Sequence, residues 1–274
     1  MFINAAHHLK WDLSSPQVMG ILNATPDSFY AHSRVEQENG ILQKVTQFIN
    51  EGVQVIDVGG QSTRPGADRV DIATEIARVV PVIEMIHHHY PHQLISIDTY
   101  QSVVAEAAIN AGAHIINDIS AGSFDPSILK VVIQYNAGYI GMHLTGKPET
   151  MHEIENRTAL IPALISYFEA KKQLFKKKGI DNWVIDPGFG FGKTLTENFE
   201  MVQKLDQLKV LELPILLGVS RKSAIYKTLG ITPEESLNGT TVLNTIGLLK
   251  GASILRVHDV KEAVELIQLI PYLK

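Results

Sequence analysis

Gly52-Val-Gln-Val-Ile-Asp57 decides the fold, because its pattern returns four more times along the chain. Each time a helix-like stretch runs into a glycine, then a short apolar run, then a polar residue. The other copies are Gly112-Ala-His-Ile-Ile-Asn117, Gly138-Tyr-Ile-Gly-Met-His143, Gly179 through Trp183-Val-Ile-Asp186, and Gly251-Ala-Ser-Ile-Leu-Arg256. The glycine suits the left-handed position that ends a helix. The β-branched run that follows reads as a strand buried on both faces, as in a parallel sheet.

Val18 to Asn23, Leu94 to Asp98 and Pro214 to Gly218 supply three more strands. Helical patterns of ordinary length lie between them, among them Ile41 to Glu51, Ile72 to His88, Ser102 to Ala111, Ser127 to Asn136, Ala159 to Lys178 and Val260 to Ile270. About eight strand–helix units of roughly 34 residues each predict an α/β fold, a TIM (β/α)8 barrel. A doubly wound open sheet is the competing architecture, but no Gly-x-Gly-x-x-Gly turn follows the first strand. Nothing splits the chain, so residues 1–274 read as one barrel domain, with residues 1–15 expected to cap the barrel bottom.

Composition narrows the function classes. Apolar residues make up 45% of the 274 and charged ones only 19%, enough to bury a large core and too apolar for disorder. The net charge of −5 supplies no positive field for nucleic acid or anionic membrane, so neither is expected as a partner. With no cysteine, a disulfide framework, a thiolate metal site and a cysteine nucleophile are excluded. No apolar leader and no run of about 18 apolar residues occurs. A soluble, cytoplasmic enzyme is the expectation. The run His87-His88-His89-Tyr-Pro-His92 ends a helix away from the strand ends and reads as structural, because the proline breaks any ligand pair.

In such a barrel the chemistry sits at the C-terminal ends of the strands. Those positions hold Asn23, Asp57, Asp98, Asn117 with Asp118, Met142 with His143, Asp186, Ser220-Arg221-Lys222, and Arg256 with His258. Helix capping accounts for single Asp, Asn or Ser residues there, but not for Arg and Lys at the last two ends. Carboxylates and amides close strands two, three, four and six, and cations close seven and eight, so an acidic side and a basic side are expected. Lys222, Arg256 and His258 could hold a phosphate or diphosphate. Asp98, Asn117 and Asp186 could read the paired N–H donors of an aminopyrimidine-type ring. A small nitrogen heterocycle with a phosphorylated arm fits both sides, and sugar phosphates would also suit the basic one. Met142 packs on the ligand or the core. Phe189 and Phe191, in the glycine-rich Asp186-Pro-Gly-Phe-Gly-Phe-Gly192-Lys193 loop, pack beneath it or face the ligand.

Taken together, these segments resemble the dihydropteroate synthase family, the folate-pathway enzymes that sulfonamides inhibit. The resemblance covers about Val18 to Val260. It rests on Gly20-Ile-Leu-Asn-Ala-Thr-Pro-Asp-Ser-Phe29, Asp57-Val-Gly-Gly-Gln-Ser-Thr-Arg-Pro-Gly66, Ser96-Ile-Asp-Thr99 and Ile116-Asn-Asp-Ile119. Asp186 through Lys193, Gly218-Val-Ser-Arg-Lys-Ser223 and Arg256-Val-His-Asp259 complete it. The family joins 6-hydroxymethyl-7,8-dihydropterin diphosphate to p-aminobenzoate with Mg²⁺.

The resemblance implies that Asp98, Asn117, Asp186 and Lys222 bind the pterin, with Arg256 packed on it and touching phosphate. It implies that Asn23 and His258 hold the diphosphate, Asn23 also as a Mg²⁺ ligand. Thr63, Arg64 and Pro65, with Phe29 beside them, would cover the p-aminobenzoate site, and Ser223 would meet its carboxylate. Asp57, Met142 and Phe191 join the substrate-binding set, and Asp98, Lys222 and Arg256 are the candidate catalytic residues. A homodimer is implied by the resemblance alone.

Three departures stand out: Tyr30-Ala31-His32-Ser33 where Ser-Asp-Gly-Gly is usual, Gln61 for Glu, and Thr145 for Gln. None removes a residue given a chemical role. Two other functions compete. A methyltetrahydrofolate–corrinoid methyltransferase shares the pterin-reading side but does not need the diphosphate cations or the Ser-Thr-Arg-Pro loop. A non-catalytic pterin-binding paralogue is permitted by the altered first loop.

Overall fold

Period-two alternation in the apolar runs sends one set of side chains into a barrel and the other toward surrounding helices. The computed structural model describes residues 1–24, 34–61, 70–145 and 159–273. The strands are β1 (Phe2–Ala5), β2 (Leu9–Asp12), β3 (Gln17–Asn23), β4 (Val55–Gly59), β5 (Leu94–Asp98), β6 (Ile115–Asp118), β7 (Gly138–Met142), β8 (Val184–Asp186), β9 (Leu216–Leu217) and β10 (Ile254–Val257). The helices are α1 (Arg34–Asn50), α2 (Ile72–His89), α3 (Ser102–Asn110), α4 (Ile128–Tyr135), α5 (Leu160–Lys177), α6 (Leu195–Gln203), α7 (Ser223–Leu229), α8 (Leu237–Lys250) and α9 (Val260–Leu269).

β3 to β10 form an eight-stranded parallel sheet in the order β8-β7-β6-β5-β4-β3-β10-β9. A parallel bridge between Ile185 and Ile215 joins its two ends, which makes the sheet a TIM barrel. Gly52, Gly112, Gly179 and Gly251 have positive φ, as the repeated pattern predicts. The fifth copy differs. Asn136 takes the left-handed turn at the end of α4 (φ 49°), an arrangement asparagine tolerates, and Gly138 instead begins β7.

Two apolar clusters follow from the alternation. Ile56 and Val58 of β4, Ile95 and Ile97 of β5, and Leu255 and Val257 of β10 face the helices. Val55, Ile140, Val184, Leu216 and Ile254 fill the barrel interior at the N-terminal ends of the strands. β1 and β2 pair as an antiparallel hairpin whose Ile3 and Trp11, with Leu13, pack into that interior cluster.

Because Val55 faces inward, so does Asp57 two residues on, and Asp98, Asp186 and Arg256 follow by the same rule. The register then sets Asn23, Gly59, Asp98 and Asn117 in one row across four neighbouring strands, and Met142 beside Asp186.

Candidate active site

Arg256 organises the C-terminal mouth. Its Nε donates to Asp57 Oδ2 at 2.6 Å and its Nη2 to Asp98 Oδ2 at 2.5 Å, so one planar guanidinium spans two carboxylates from two strands. Asn117 Nδ2 is a second donor to Asp57 Oδ2, at 3.1 Å. The separation into an acidic and a basic side therefore does not hold. Buried charge is costly unless paired, so the cation of the last strand reaches across to the acids. Asp57, expected among the substrate-binding residues, is fully buried, is not among the residues that line the pocket, and pairs with Arg256.

The pocket above brings together Asp98, Asn117, Met142, Asp186, Phe191, Lys222 and Arg256 around about 310 Å³ of space that opens to solvent. Gly188 N–H donates to Asp186 Oδ1 at 2.7 Å. Gly188 has φ +75°, and a Cβ there would lie 2.1 Å from the His143 carbonyl oxygen, so the close turn admits only glycine. Lys222 Nζ donates to the Phe189 carbonyl at 2.5 Å and lies 4.5 Å from the Phe191 ring centre. The two phenylalanines thus divide their tasks: Phe189 is fully buried in the core, and Phe191 faces the pocket.

Burial dominates the acid–base behaviour. It pushes Asp98 up to about 7 against the opposing pull of Arg256, with Asp57, Glu75 and Asp118 reinforcing the rise. Burial also raises Asp186, against Lys222. It lowers Lys222 to about 8, although Asp186 favours the ammonium. Burial works against the Arg256 charge too, but Asp57 and Asp98 overcome it and raise its pKa above the usual arginine value.

The remaining candidates stand around the rim. Asn23 ends β3 and is exposed, with its Oδ1 close to Gly59. Ser223 begins α7, partly buried. His258 lies beside Ser220, whose Oγ is 2.9 Å from His258 Nδ1. Phe29, Thr63, Arg64, Pro65 and the Tyr30 to Ser33 departure lie outside the described residues. Gln61 is partly buried, and the Thr145 backbone packs against Gly192.

Several supporting residues carried no role in the sequence analysis. Lys193 is buried, donates to the carbonyls of Gly188 (2.8 Å) and Phe191 (3.1 Å), and lies 3.2 Å from His143 Nδ1. It holds the turn that carries Phe191. Its position at the end of a glycine-rich run was the available signal. Glu75 of α2 is buried against Gly60 and accepts from Gln101 Nε2 at 2.5 Å. An acidic residue on the inner face of an amphipathic helix was the signal there. Asp118 points away from the pocket, accepting from the Ser120 and Gly122 amides and the Tyr139 hydroxyl.

Residues 19–258 match the family described as pterin binding enzyme. Dihydropteroate synthase of Escherichia coli K12 is 39% identical over 261 residues, 94% of this chain and 92% of that protein. A crystal structure of Yersinia pestis dihydropteroate synthase with a sulfonamide drug superposes with a TM-score of 0.91 at 37% identity, covering 100% of this chain and 99% of that one. Xanthomonas albilineans dihydropteroate synthase with 4-aminobenzoic acid gives 0.89 at 31% identity, with 98% of each chain covered. An inward ring of paired charges at a TIM-barrel mouth, likeness over nearly the whole length and sequence identity all agree: the chain belongs to the dihydropteroate synthase family of pterin-binding transferases in folate biosynthesis.

Proposed function

We propose that the mouth binds 6-hydroxymethyl-7,8-dihydropterin diphosphate beside p-aminobenzoate and joins them into 7,8-dihydropteroate, releasing diphosphate. The observation that carries this reading is the pocket in which Asp98, Asn117, Asp186, Lys222 and Arg256 converge. Carboxylate and amide oxygens there can accept the paired N–H groups of the pterin, Lys222 can donate to its carbonyl, and Arg256 offers a flat face to the ring.

The CH₂–O bond to diphosphate breaks first, its electron pair leaving with the bridging oxygen. Positive charge develops on the CH₂ carbon and spreads into the ring. Asp98, ionised and fixed by Arg256, stabilises that charge without reorganising. The neutral aryl amine then attacks with its nitrogen lone pair, forms the C–N bond, and gives its extra proton to the departing diphosphate or to water. No general base is required.

Mg²⁺ fits the chemistry of the rim. Asn23 presents a hard amide oxygen, and among the described residues no group of three His, Asp or Glu side chains could hold a metal without the substrate. Mg²⁺ is commonly held by one or two protein oxygens together with substrate phosphates. Asn23 would be its protein ligand, and the ion would neutralise charge on the leaving group.

We also place the enzyme in the cytoplasm as a homodimer. No described helix is long and apolar enough to cross a membrane. Val242, Ile246 and Leu249 form an exposed apolar stripe at helical spacing on α8, suited to a second copy.

The test follows diphosphate release on mixing pterin diphosphate, p-aminobenzoate and Mg²⁺. Steady release is expected, falling about 100-fold or more in Asp98→Asn. Pterin binding without release would indicate a binding protein, and unchanged turnover in Asp98→Asn would remove Asp98 from the mechanism.

A further inference from the structure

We infer that Ser220 is a positioning residue that fixes the tautomer of His258, so that its neutral ring directs an Nε2–H donor toward the diphosphate. This rests on the proposed role of His258 at the diphosphate. Ser220 follows β9 and His258 follows β10, and these strands are paired neighbours. Two contacts join the residues: His258 N–H donates to Ser220 Oγ at 3.1 Å, and the same oxygen lies 2.9 Å from His258 Nδ1.

The hydroxyl has one proton, and Ser220 is only 4% exposed. Its oxygen already accepts from the His258 amide. If Nδ1 also carried a hydrogen aimed at it, the buried hydroxyl proton would lose this acceptor, a costly outcome. The economical arrangement has Ser220 O–H donating to Nδ1, which leaves the ring proton on Nε2.

A second rung holds the arrangement in place. The next residue in each loop, Arg221 and Asp259, pair through Nε to Oδ2 at 2.9 Å and Nη2 to Oδ1 at 2.7 Å. Arg221 N–H is further tied to Thr240 Oγ1 at 3.1 Å. Consecutive cross-links at 220–258 and 221–259 keep both loops in register. The imidazole therefore does not have to choose between tautomers when the ligand arrives, which is how groups behind a functional histidine ordinarily act.

Imidazole ¹⁵N NMR of the unliganded wild-type protein reads the tautomer directly. A ring protonated at Nε2 and bare at Nδ1 is expected; a proton at Nδ1 would overturn the inference, with no variant needed. Kinetics supply the second readout. Ser220→Ala is expected to raise KM for pterin diphosphate about tenfold with little change in KM for p-aminobenzoate, the scale of one good hydrogen bond to a charged group. Ser220→Thr, which keeps the hydroxyl, should restore it. Equal changes in both KM values, or none, would refute the positioning role. If the wild-type protein releases no diphosphate, the functional reading falls, while the tautomer measurement still decides the assignment for Ser220.

Discussion

The two ends of one barrel interior are built from the same strands and do opposite things. At the bottom, Val55, Val184 and Ile254 pack with Trp11 and Ile3 into a hydrophobic plug. One inward step along the same strands, about 6.6 Å, stand Asp57, Asp186 and Arg256. Two residues of strand thus separate a layer held by dispersion and water exclusion from one held by paired charge. The difference teaches where tolerance lies: the bottom answers to volume, the top to the position of every proton.

Arg256→Ala should have the largest effect, because it removes the group that satisfies both Asp57 and Asp98. Breaking a buried pair by deleting one partner costs about 3–5 kcal/mol. Turnover should also fall below detection, since Asp98 loses the partner that favours its ionised form. Denaturant unfolding and diphosphate release measure the two parts. If either stays near wild type, the upper layer is not organised by this arginine.

Trp11→Ala is the matching test at the other end. The indole is 1% exposed in the bottom plug, and truncation of a buried aromatic costs about 3–5 kcal/mol. The folded fraction should keep its kcat/KM, because no charge at the mouth has moved. A large fall in kcat/KM per folded molecule would show that the plug shapes the pocket, and would break the division drawn between the ends.

That division was half legible in the sequence. Glycine, then a β-branched run, then a polar residue is a local pattern, so strand positions and strand-end residues such as Asp98, Asn117 and Asp186 could be read directly. Which strand-end groups meet depends on barrel closure and stagger, which no local pattern encodes. Asp57 illustrates the point: as a strand-end carboxylate it looked like a ligand contact, yet the register carries Arg256 across to cover it. The tasks of Lys193, Glu75 and Ser220 were harder to read than their positions, for a related reason. Each is polar and buried, and a partner lies in another loop or helix: His143 for Lys193, Gln101 for Glu75 and His258 for Ser220.

The smallest effect expected is a change in pH dependence, and here the two ends pull in opposite directions. Burial, with repulsion from His7 and His87, lowers His114 near the barrel bottom to about 4 from an ordinary 6.5, and its Nδ1 accepts from Ile95 N–H at 3.0 Å. As pH falls from 6.5 toward 4 the unfolded chain takes up that proton and the folded one does not, so His114 drains stability as pH falls. Asp98 does the reverse: the folded state keeps its proton up to about 7, the unfolded state loses it near 3.8, and stability falls as pH rises. Between pH 4 and 6.5 the two contributions oppose, each with a slope of at most about 1.4 kcal/mol per pH unit. His114→Asn keeps an acceptor for Ile95 N–H without a titrating ring. In that variant stability should decline more steeply as pH rises through this window, while diphosphate release should still weaken as pH falls through about 7, because that limb belongs to Asp98. An unchanged stability slope would exclude His114 as the titrating group. A shifted activity limb would mean that the two ends of the barrel are coupled after all.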